Sequence, residues 1–416
     1  MSKLITNIAS LYVIQAANYL LPLITLPYLI RTLGFENFGV LSYAGNIIQY
    51  FVIFTDFGFN LTATREVSIN RADSIKLNEI VSSVFVLKFL FLLLSFILFL
   101  CLINFFSEAK EHATVFLASF LLVIGNVLFP NWLFQGIEKM PLVTIMNVLP
   151  KLITVPAIFY FVKSPGDIAT AAIIQSIGNI IGGAIGLLLI KANLPNLQFK
   201  MPTREVLIRM LNDGKYIFAS QLSGLMVNSS HMLILGYFHG AYAVGHYAVA
   251  EKIIKAANNA QVPICNAVYP KLAALFAKSK SEGFAFIRSM LKWLFPLMLT
   301  GSIGLFLLAN WVTYLVSGEH SREVTIILRI MSIIPTSVFL DNLLGTQVLI
   351  NLGYRAQFMW AIFISGLSGV FMALIFVPKF GALASAWVYL GSQITVLLLM
   401  SIFINRNIKF SSFFKS

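Results

Sequence analysis

The sequence predicts an all-α integral membrane protein of about twelve transmembrane helices in two six-helix lobes. Three observations predict it. Of 416 residues, 58% are hydrophobic and only 11% are charged, with a mean hydropathy of +0.86; a soluble domain averages roughly 25% charged. The apolar residues come in runs of about 20, the length that crosses a hydrocarbon core of about 30 Å. Lys and Arg fall mainly in alternate segments between those runs. Backbone polar groups in lipid must be satisfied internally, so the runs read as helices. A membrane β-barrel would show alternating segments of about 10 residues, and none are evident.

The spans are read at 9–30, 38–59, 80–104, 114–136, 142–162, 168–190, 215–238, 243–267, 293–316, 324–350, 356–377 and 382–404. The first is too long and apolar for a signal-peptide core and lacks an A-x-A cleavage site. Its Pro22 and Pro27 each remove an internal hydrogen bond and can bend it. The second and eighth spans are the most polar. Span five places Lys151 between Pro150 and Pro156, and span six repeats Gly178, Gly182 and Gly186 every fourth residue, a stripe that permits close helix approach. The longest segments between spans are 191–214 and 268–292. In the first, TREVLIRMLNDG sets Val206, Leu207 and Met210 at helical spacing beside Arg204 and Arg209. It reads as a helix lying on an anionic membrane face, or as a connector between halves.

Basic residues set the orientation. One side receives Lys3, Arg65, Arg71, Lys76, Lys139, Lys191, Lys200, Arg204, Arg209, Lys215, Lys271, Lys278, Lys280, Arg288, Lys292, Arg355, Arg406, Lys409 and Lys415; the other receives only Arg31, Lys110, Lys163, Arg322 and Lys379. An asymmetry of about 19 to 5 puts both termini in the cytoplasm. The formal net charge of +13 therefore reports topology, and no nucleic-acid partner is expected. Cys101 and Cys265 lie in apolar runs and give neither a disulfide framework nor metal spacing.

The chain repeats. FGVLSYAGNIIQ (38–49) aligns with VGHYAVAEKIIK (244–255), WLFQGIEK (132–139) with VLINLGYR (348–355), and GDIATAA (166–172) with GALASAW (381–387). The expected division is 1–208, an N-terminal lobe with connector, and 209–416, a C-terminal lobe. Same-orientation halves imply a pseudo-twofold axis along the membrane normal, with a substrate path between them.

Ionisable groups inside spans are costly and are functional candidates by default. The deep cations are Lys88, Lys151, Lys252, Lys255 and Arg329; the acids are Glu251 and Asp341, with Asp56 near a span end. The net positive set suits an anionic ligand such as a diphosphate. Each has a plainer reading. Lys88 and Arg329 lie within snorkelling reach of an interface. Glu251 and Lys255 have the i, i+4 spacing of a helical ion pair, which leaves Lys252 uncompensated. Lys151 is too deep to snorkel. Asp341, about 18 Å along the helix from Arg329, cannot pair with it and reads as a proton or ion site or as a bond to a neighbouring helix. No HExxH, GxSxG or Walker loop is present, so no cofactor, catalytic centre or ATP-driven step is expected.

LPYLIRTLGFENFGVLSYAGNIIQYFVIFTDFGFNLTATREV (26–67), HYAVAEKIIKAANNAQVPICNAVYPKLA (246–273) and GALASAWVYLGSQ (381–393) carry a family resemblance. The chain resembles the polysaccharide exporters, specifically the Wzx-type O-antigen flippases of the multidrug/oligosaccharidyl-lipid/polysaccharide superfamily. The resemblance implies twelve helices in two lobes around a central cationic cavity. It also implies transfer of undecaprenyl-diphosphate-linked oligosaccharide from the cytoplasmic to the periplasmic leaflet of the bacterial inner membrane by alternating access. Arg31, Asp56, Arg65 and Glu66 fall in the first motif, where Arg31 joins the cavity cations; their plainer reading is capping and salt bridging. The expected partners are the lipid-linked oligosaccharide, membrane lipids, and the polysaccharide polymerase and chain-length machinery. A drug or metabolite antiporter of the same superfamily would want an acidic or aromatic pocket, against the deep cations. A lipid II flippase would carry two further helices. A membrane-embedded polymerase or ligase would carry a long periplasmic loop, whereas the longest here is about ten residues. A scaffold role would leave the buried cations unexplained.

Reporter fusions after Ser416 and within 106–112 are expected to report opposite sides of the membrane, the first cytoplasmic. The same side for both would refute the topology.

Overall fold

The computed structural model describes residues 2–408, without the side chains of 2–12, 16, 19, 20, 407 and 408. Lys409, Lys415 and Ser416 lie outside the described residues, as does the side chain of Lys3. Two compact units form, Met1–Leu222 and Ser223–Ser416. No strand occurs among the described residues.

In the first unit α1 (Ser2–Asp56) breaks at Gly34, whose φ of 75° and ψ of 170° lie in territory open to glycine. The short α2 (Phe59–Asn70) follows a reversal at Phe57 and Gly58. The Asp73 carboxylate then starts α3 (Ser74–Phe105), accepting from the Ile75 and Lys76 amides at 3.0 and 3.1 Å. A single turn, α4 (Ser107–Glu111), leads to α5 (Ala113–Leu128). Pro130 then splits the predicted fourth span, because it has no N–H to continue the ladder; the remainder is α6 (Asn131–Gly136). Next come α7 (Met140–Phe161) and α8 (Ile168–Asn193), the latter entered through a 3₁₀ turn that Ser164 and Asp167 cap reciprocally.

The glycine stripe of span six serves packing. A Cβ on Gly182 would lie 2.7 Å from the Met146 carbonyl, and one on Gly186 2.4 Å from the Pro130 ring. Across the α5–α8 seam, a Cβ on Gly125 would meet the Asn179 backbone carbon at 2.6 Å. The core lies around Phe59, Val84, Trp132, Phe134 and Met146. On α3, by contrast, Phe89, Leu93, Phe96 and Ile97 stay exposed, an apolar surface suited to acyl chains.

The segment 204–214 departs from the surface-helix expectation. It is the beginning of α9 (Arg204–Ala260), a 57-residue helix. Met210 is buried in the first unit's core, and Val206 and Leu207 pack against it. The apolar stripe is therefore spent on protein. Connector residues ahead of it run along α3, where the Gln198 and Lys200 amides donate to Asn78 Oδ1 and Ser82 Oγ, each at 3.0 Å.

The second unit begins within α9, which breaks at Gly240 (φ 72°, ψ −175°). The predicted loop 268–292 is instead a helical hairpin of α10 (Val262–Lys278) and α11 (Lys280–Leu307). Its Leu272, Phe276, Phe284 and Ile287 bury themselves in a core with Leu343, Val348 and Met400, which outweighs the intervening charges. After α12 (Ala309–Ser317), the predicted tenth span is also interrupted: α13 (Arg322–Met331) stops ahead of Pro335, and α14 (Ile334–Asn342) runs into a π-helical stretch, Leu343–Ile350. The last element, α15 (Arg355–Ile408), breaks at Gly381 (φ 58°).

Eight helical stretches among the described residues are long and apolar enough to cross a membrane. Leu21–Asn70 and Arg355–Arg406, at 50 and 52 residues, exceed one bilayer and are kinked at Gly34 and Gly381. The predicted span 215–238 and most of 243–267 lie in α9, which is more polar and outside the eight; the end of the latter falls in α10.

The units share local structure. Gly34 and Gly240 occupy equivalent places in the sequence repeat and adopt the same conformation. The turn at 136–139 matches that at 351–354 bond for bond. Amides of Ile137, Glu138 and Lys139 donate to Leu133, Gln135 and Phe134; those of Leu352, Gly353 and Tyr354 donate to Val348, Ile350 and Leu349. Glu138 and Gly353 both take positive φ, 59° and 88°. This pairing shifts the sequence alignment, which sets Glu138 against Tyr354, by one residue. The left-handed helix end dictates the register, not residue likeness.

Gly125→Val should lower stability in detergent by about 1–3 kcal/mol, as overpacking does. Gly301→Ala, which meets nothing within 4 Å, should not. Equal melting temperatures for both would refute the close-packed seam.

Candidate functional site

In the first unit the reversal after α1 brings charges together. Lys88 Nζ lies 3.1 Å from Asp56 Oδ1, and both side chains are buried, at 1% and 6% exposure. Asn60 donates to the same carboxylate oxygen at 2.7 Å. Lys88 therefore does not snorkel to an interface. Beside it Phe57 is held at φ 44°, rare for a residue with a side chain. Its ring stacks on Phe218 (centroids 4.8 Å apart) and packs on Phe91 (5.1 Å). A Cβ on Gly58 would lie 2.8 Å from Ile217, and one on Gly214 2.5 Å from the Phe57 carbonyl. The TDFGF segment thus seats the start of α9 on the end of α1. Arg65 and Glu66, with Asn212, Asp213 and Tyr216, line an open cavity of about 380 Å³.

The remaining first-unit cations stand apart from that pair. Lys151 is half-buried on α7, and its ammonium donates to the Asn18 amide oxygen on α1. A neutral amide satisfies a proton without cancelling the charge. Arg31 is exposed on α1, just ahead of the Gly34 break.

In the second unit a polar cluster forms where the two halves of α9 meet α15. Lys255 Nζ lies 2.9 Å from Glu251 Oε1, as the i, i+4 spacing predicts, with Glu251 at 2% and Lys255 at 38% exposure. Lys252 is exposed on the next position of the same helix. The His231 ring, fully buried, stacks on Tyr389 with centroids 4.9 Å apart and meets Tyr247 edge-on at 5.3 Å. Tyr389 Oη and Gln393 Nε2 both donate to Asn228 Oδ1, at 3.4 and 3.2 Å. Asp341, on α14, has both carboxylate oxygens buried and without a hydrogen-bond partner among the described residues. Arg329 is not in this group: it is exposed, with its guanidinium 5.7 Å from the Phe306 ring centre.

Of the sequence-predicted residues, four form two ion pairs, Asp56–Lys88 and Glu251–Lys255; Lys151, Lys252 and Arg329 are cations without an ion-pair partner among the described residues; Asp341 has its carboxylate buried on α14, and Arg31 is exposed on α1. Asn18, Asn228, His231, Tyr247, Tyr389 and Gln393 escaped the sequence reading. A histidine in mid-span was the available signal for the cluster. No grouping of three or more His, Cys, Asp or Glu that could hold a metal occurs among the described residues.

Comparison with known proteins places this arrangement. The family described as "Polysaccharide biosynthesis protein" matches residues 4–276. A protein of Escherichia coli K12 named "Putative O-antigen transporter" is 30% identical over 403 residues, 96% of each chain. The chain belongs to the polysaccharide biosynthesis protein family. A Shigella dysenteriae relative with the same name is 28% identical over 95% of this chain and 98% of its own. Among solved structures, the lipid II flippase MurJ in an inward closed conformation shares the fold with TM-score 0.75 at 14% identity, covering 99% of this chain and 89% of its own. An inward-facing multidrug resistance MATE transporter of the MOP superfamily does so at 0.71 and 15% identity, over 94% and 98%. The family match spans the TDFGF reversal and the whole of α9, which carries Glu251 and Lys255.

In this family member, Lys88→Met alone strands the buried Asp56 carboxylate. It should cost about 3–5 kcal/mol of stability, the penalty for breaking a buried pair. The double variant Asp56→Asn, Lys88→Met should recover most of that loss. Denaturant unfolding in detergent checks both; an additive double variant would mean the pair is not coupled.

Proposed function

We propose that this protein is a flippase of the bacterial inner membrane, with both termini cytoplasmic. It carries undecaprenyl-diphosphate-linked oligosaccharide repeat units of O-antigen or a related surface polysaccharide from the cytoplasmic to the periplasmic leaflet by alternating access. The observation that carries this reading is the likeness, along 96% of both chains, to the E. coli protein named "Putative O-antigen transporter". The charge pattern supports it: Lys151 in one unit and Lys252 in the other carry charge with no ion-pair partner among the described residues.

A diphosphate is the one strongly charged part of such a lipid. An ammonium gives it charge-assisted hydrogen bonds, and these strengthen as water is excluded. Transport also requires release. A lysine on a flexible stem gives up a phosphate more readily than a bidentate guanidinium. Pro150 and Pro156 flank Lys151 and weaken the α7 ladder around it, leaving room for the helix to adjust. Flipped units then pass to the polymerase and chain-length machinery, which are the proposed protein partners. A drug antiporter built on the same fold would carry cations instead, and the lysines disfavour that.

Deletion should abolish surface polysaccharide and leave lipid-linked units in the cytoplasmic leaflet. Lys151→Ala with Lys252→Ala should reduce flipping by reconstituted protein about tenfold or more, normalised to the amount inserted. Lys→Arg at either site should retain part of it. Unchanged flipping in the double variant would remove the cationic mechanism. Units that reached the periplasm in the deletion strain but stayed unpolymerised would favour an enzyme.

A further inference from the structure

His231 has no exposed surface, and neither ring nitrogen has a hydrogen-bond partner among the described residues. An imidazole always presents at least one N–H, so an unpartnered buried ring is an unstable arrangement that calls for a function. Its neighbours define that function. Tyr389 covers one face of the ring and Tyr247 meets its edge. The Tyr247 hydroxyl is likewise buried and unpartnered. Glu251 follows one turn after Tyr247 on α9 and is held by Lys255. The charges that act on His231 are those of Glu251 and Lys255. Lys252 acts on Glu251, and Asp341 on α14 reaches the cluster through Tyr389.

Of the charges in this constellation, Lys252 is exposed to water and Asp341 lies beyond Tyr389, so the inner group is the Glu251 carboxylate with two bases, His231 and Lys255. With His231 neutral, Glu251 and Lys255 cancel. A proton on His231 leaves one anion between two cations, an arrangement disfavoured in a low-dielectric interior unless a second anion enters. Lys255 is the partner placed to receive that anion, because its side chain is the exposed member of the pair at 38%.

We propose that His231 is a proton-binding site, and that its imidazolium draws the Glu251 carboxylate from Lys255 and frees the Lys255 ammonium for a phosphate of the substrate. The ring takes its proton from water and no covalent bond changes. Proton and anion then favour each other's binding by the same factor, as linkage requires. A proton gradient thereby becomes a means of loading or releasing an anionic lipid. The substrate part of this rests on the flippase reading; the proton site does not.

The test uses the full chain in nanodiscs with geranylgeranyl diphosphate as the probe. Calorimetry in buffers of different ionisation enthalpy should show uptake of about one proton per diphosphate bound. His231→Gln should abolish the uptake and flatten the pH dependence of affinity. Lys255→Met should weaken binding on the order of tenfold while leaving the histidine titration in place. That titration is read separately by ¹⁵N resonances of labelled histidine between about pH 5 and 8. If His231→Gln does not fold, a chain with His112, His239, His246 and His320 replaced leaves His231 as the sole reporter. A His231 resonance that does not titrate, or proton uptake that survives His231→Gln, overturns the proposal. A titrating His231 in a protein that binds no polyprenyl diphosphate instead sinks the flippase reading and keeps the proton site.

Discussion

A charge withdrawn from water must be neutralised, and in an apolar helical protein few groups are available to do it. This requirement organises both units. In the first it places Asp56 and Lys88 within 3.1 Å at a backbone reversal, with Asn60 as an additional donor. Removing either partner leaves an ion whose desolvation nothing repays. The pair therefore fixes the end of α1 against α3, and the strained Phe57 beside it can persist only because the ring is held on three sides by Phe59, Phe91 and Phe218. In the second unit Glu251 and Lys255 meet the same requirement within one helix, which leaves the surrounding elements free of that duty.

The scaffold around these pairs is built from helices interrupted at chosen points. Gly34, Gly240 and Gly381 break long helices without a loop, since only glycine takes those angles at no steric cost. Pro130 and Pro335 interrupt others by withholding a donor. Each interruption exposes backbone groups that must find partners. The matching hydrogen bonds at 136–139 and 351–354 are one solution used twice.

Much of this was legible from residue order. Runs of apolar residues gave the helices, and the spacing of Glu251 and Lys255 gave their pairing, because both signals are local. The Asp56–Lys88 pair was not legible: its members lie on separate helices, and only the reversal at Phe57 and Gly58 brings them together. The segment 268–292 read as a loop because its five basic residues dominate its composition, whereas its buried face, Leu272, Phe276, Phe284 and Ile287, is set by tertiary packing. His231 was passed over because a lone histidine in an apolar run has no sequence partner. Its meaning comes from Tyr389, which lies far along the chain.

The repeat makes the position of that histidine informative. In the register that pairs Gly34 with Gly240, His231 falls on Thr25, Tyr247 on Leu41, and Glu251, Lys252 and Lys255 on Gly45, Asn46 and Gln49. The first unit keeps the glycine break and the helix beyond it but has none of the ionisable groups. Packing alone therefore does not require them, since an equivalent helix folds with neutral residues at every one of these places. Thr25 returns its hydroxyl to its own helix, at the Leu21 and Pro22 carbonyls, and needs nothing from a neighbour. At these places the second unit carries the cost of a buried imidazole, a tyrosine hydroxyl without a hydrogen-bond partner among the described residues and a buried carboxylate, and the first unit avoids it. Costs of that kind persist where the chemistry uses them, so the search for coupling belongs in the second unit, around the half of α9 that follows Gly240.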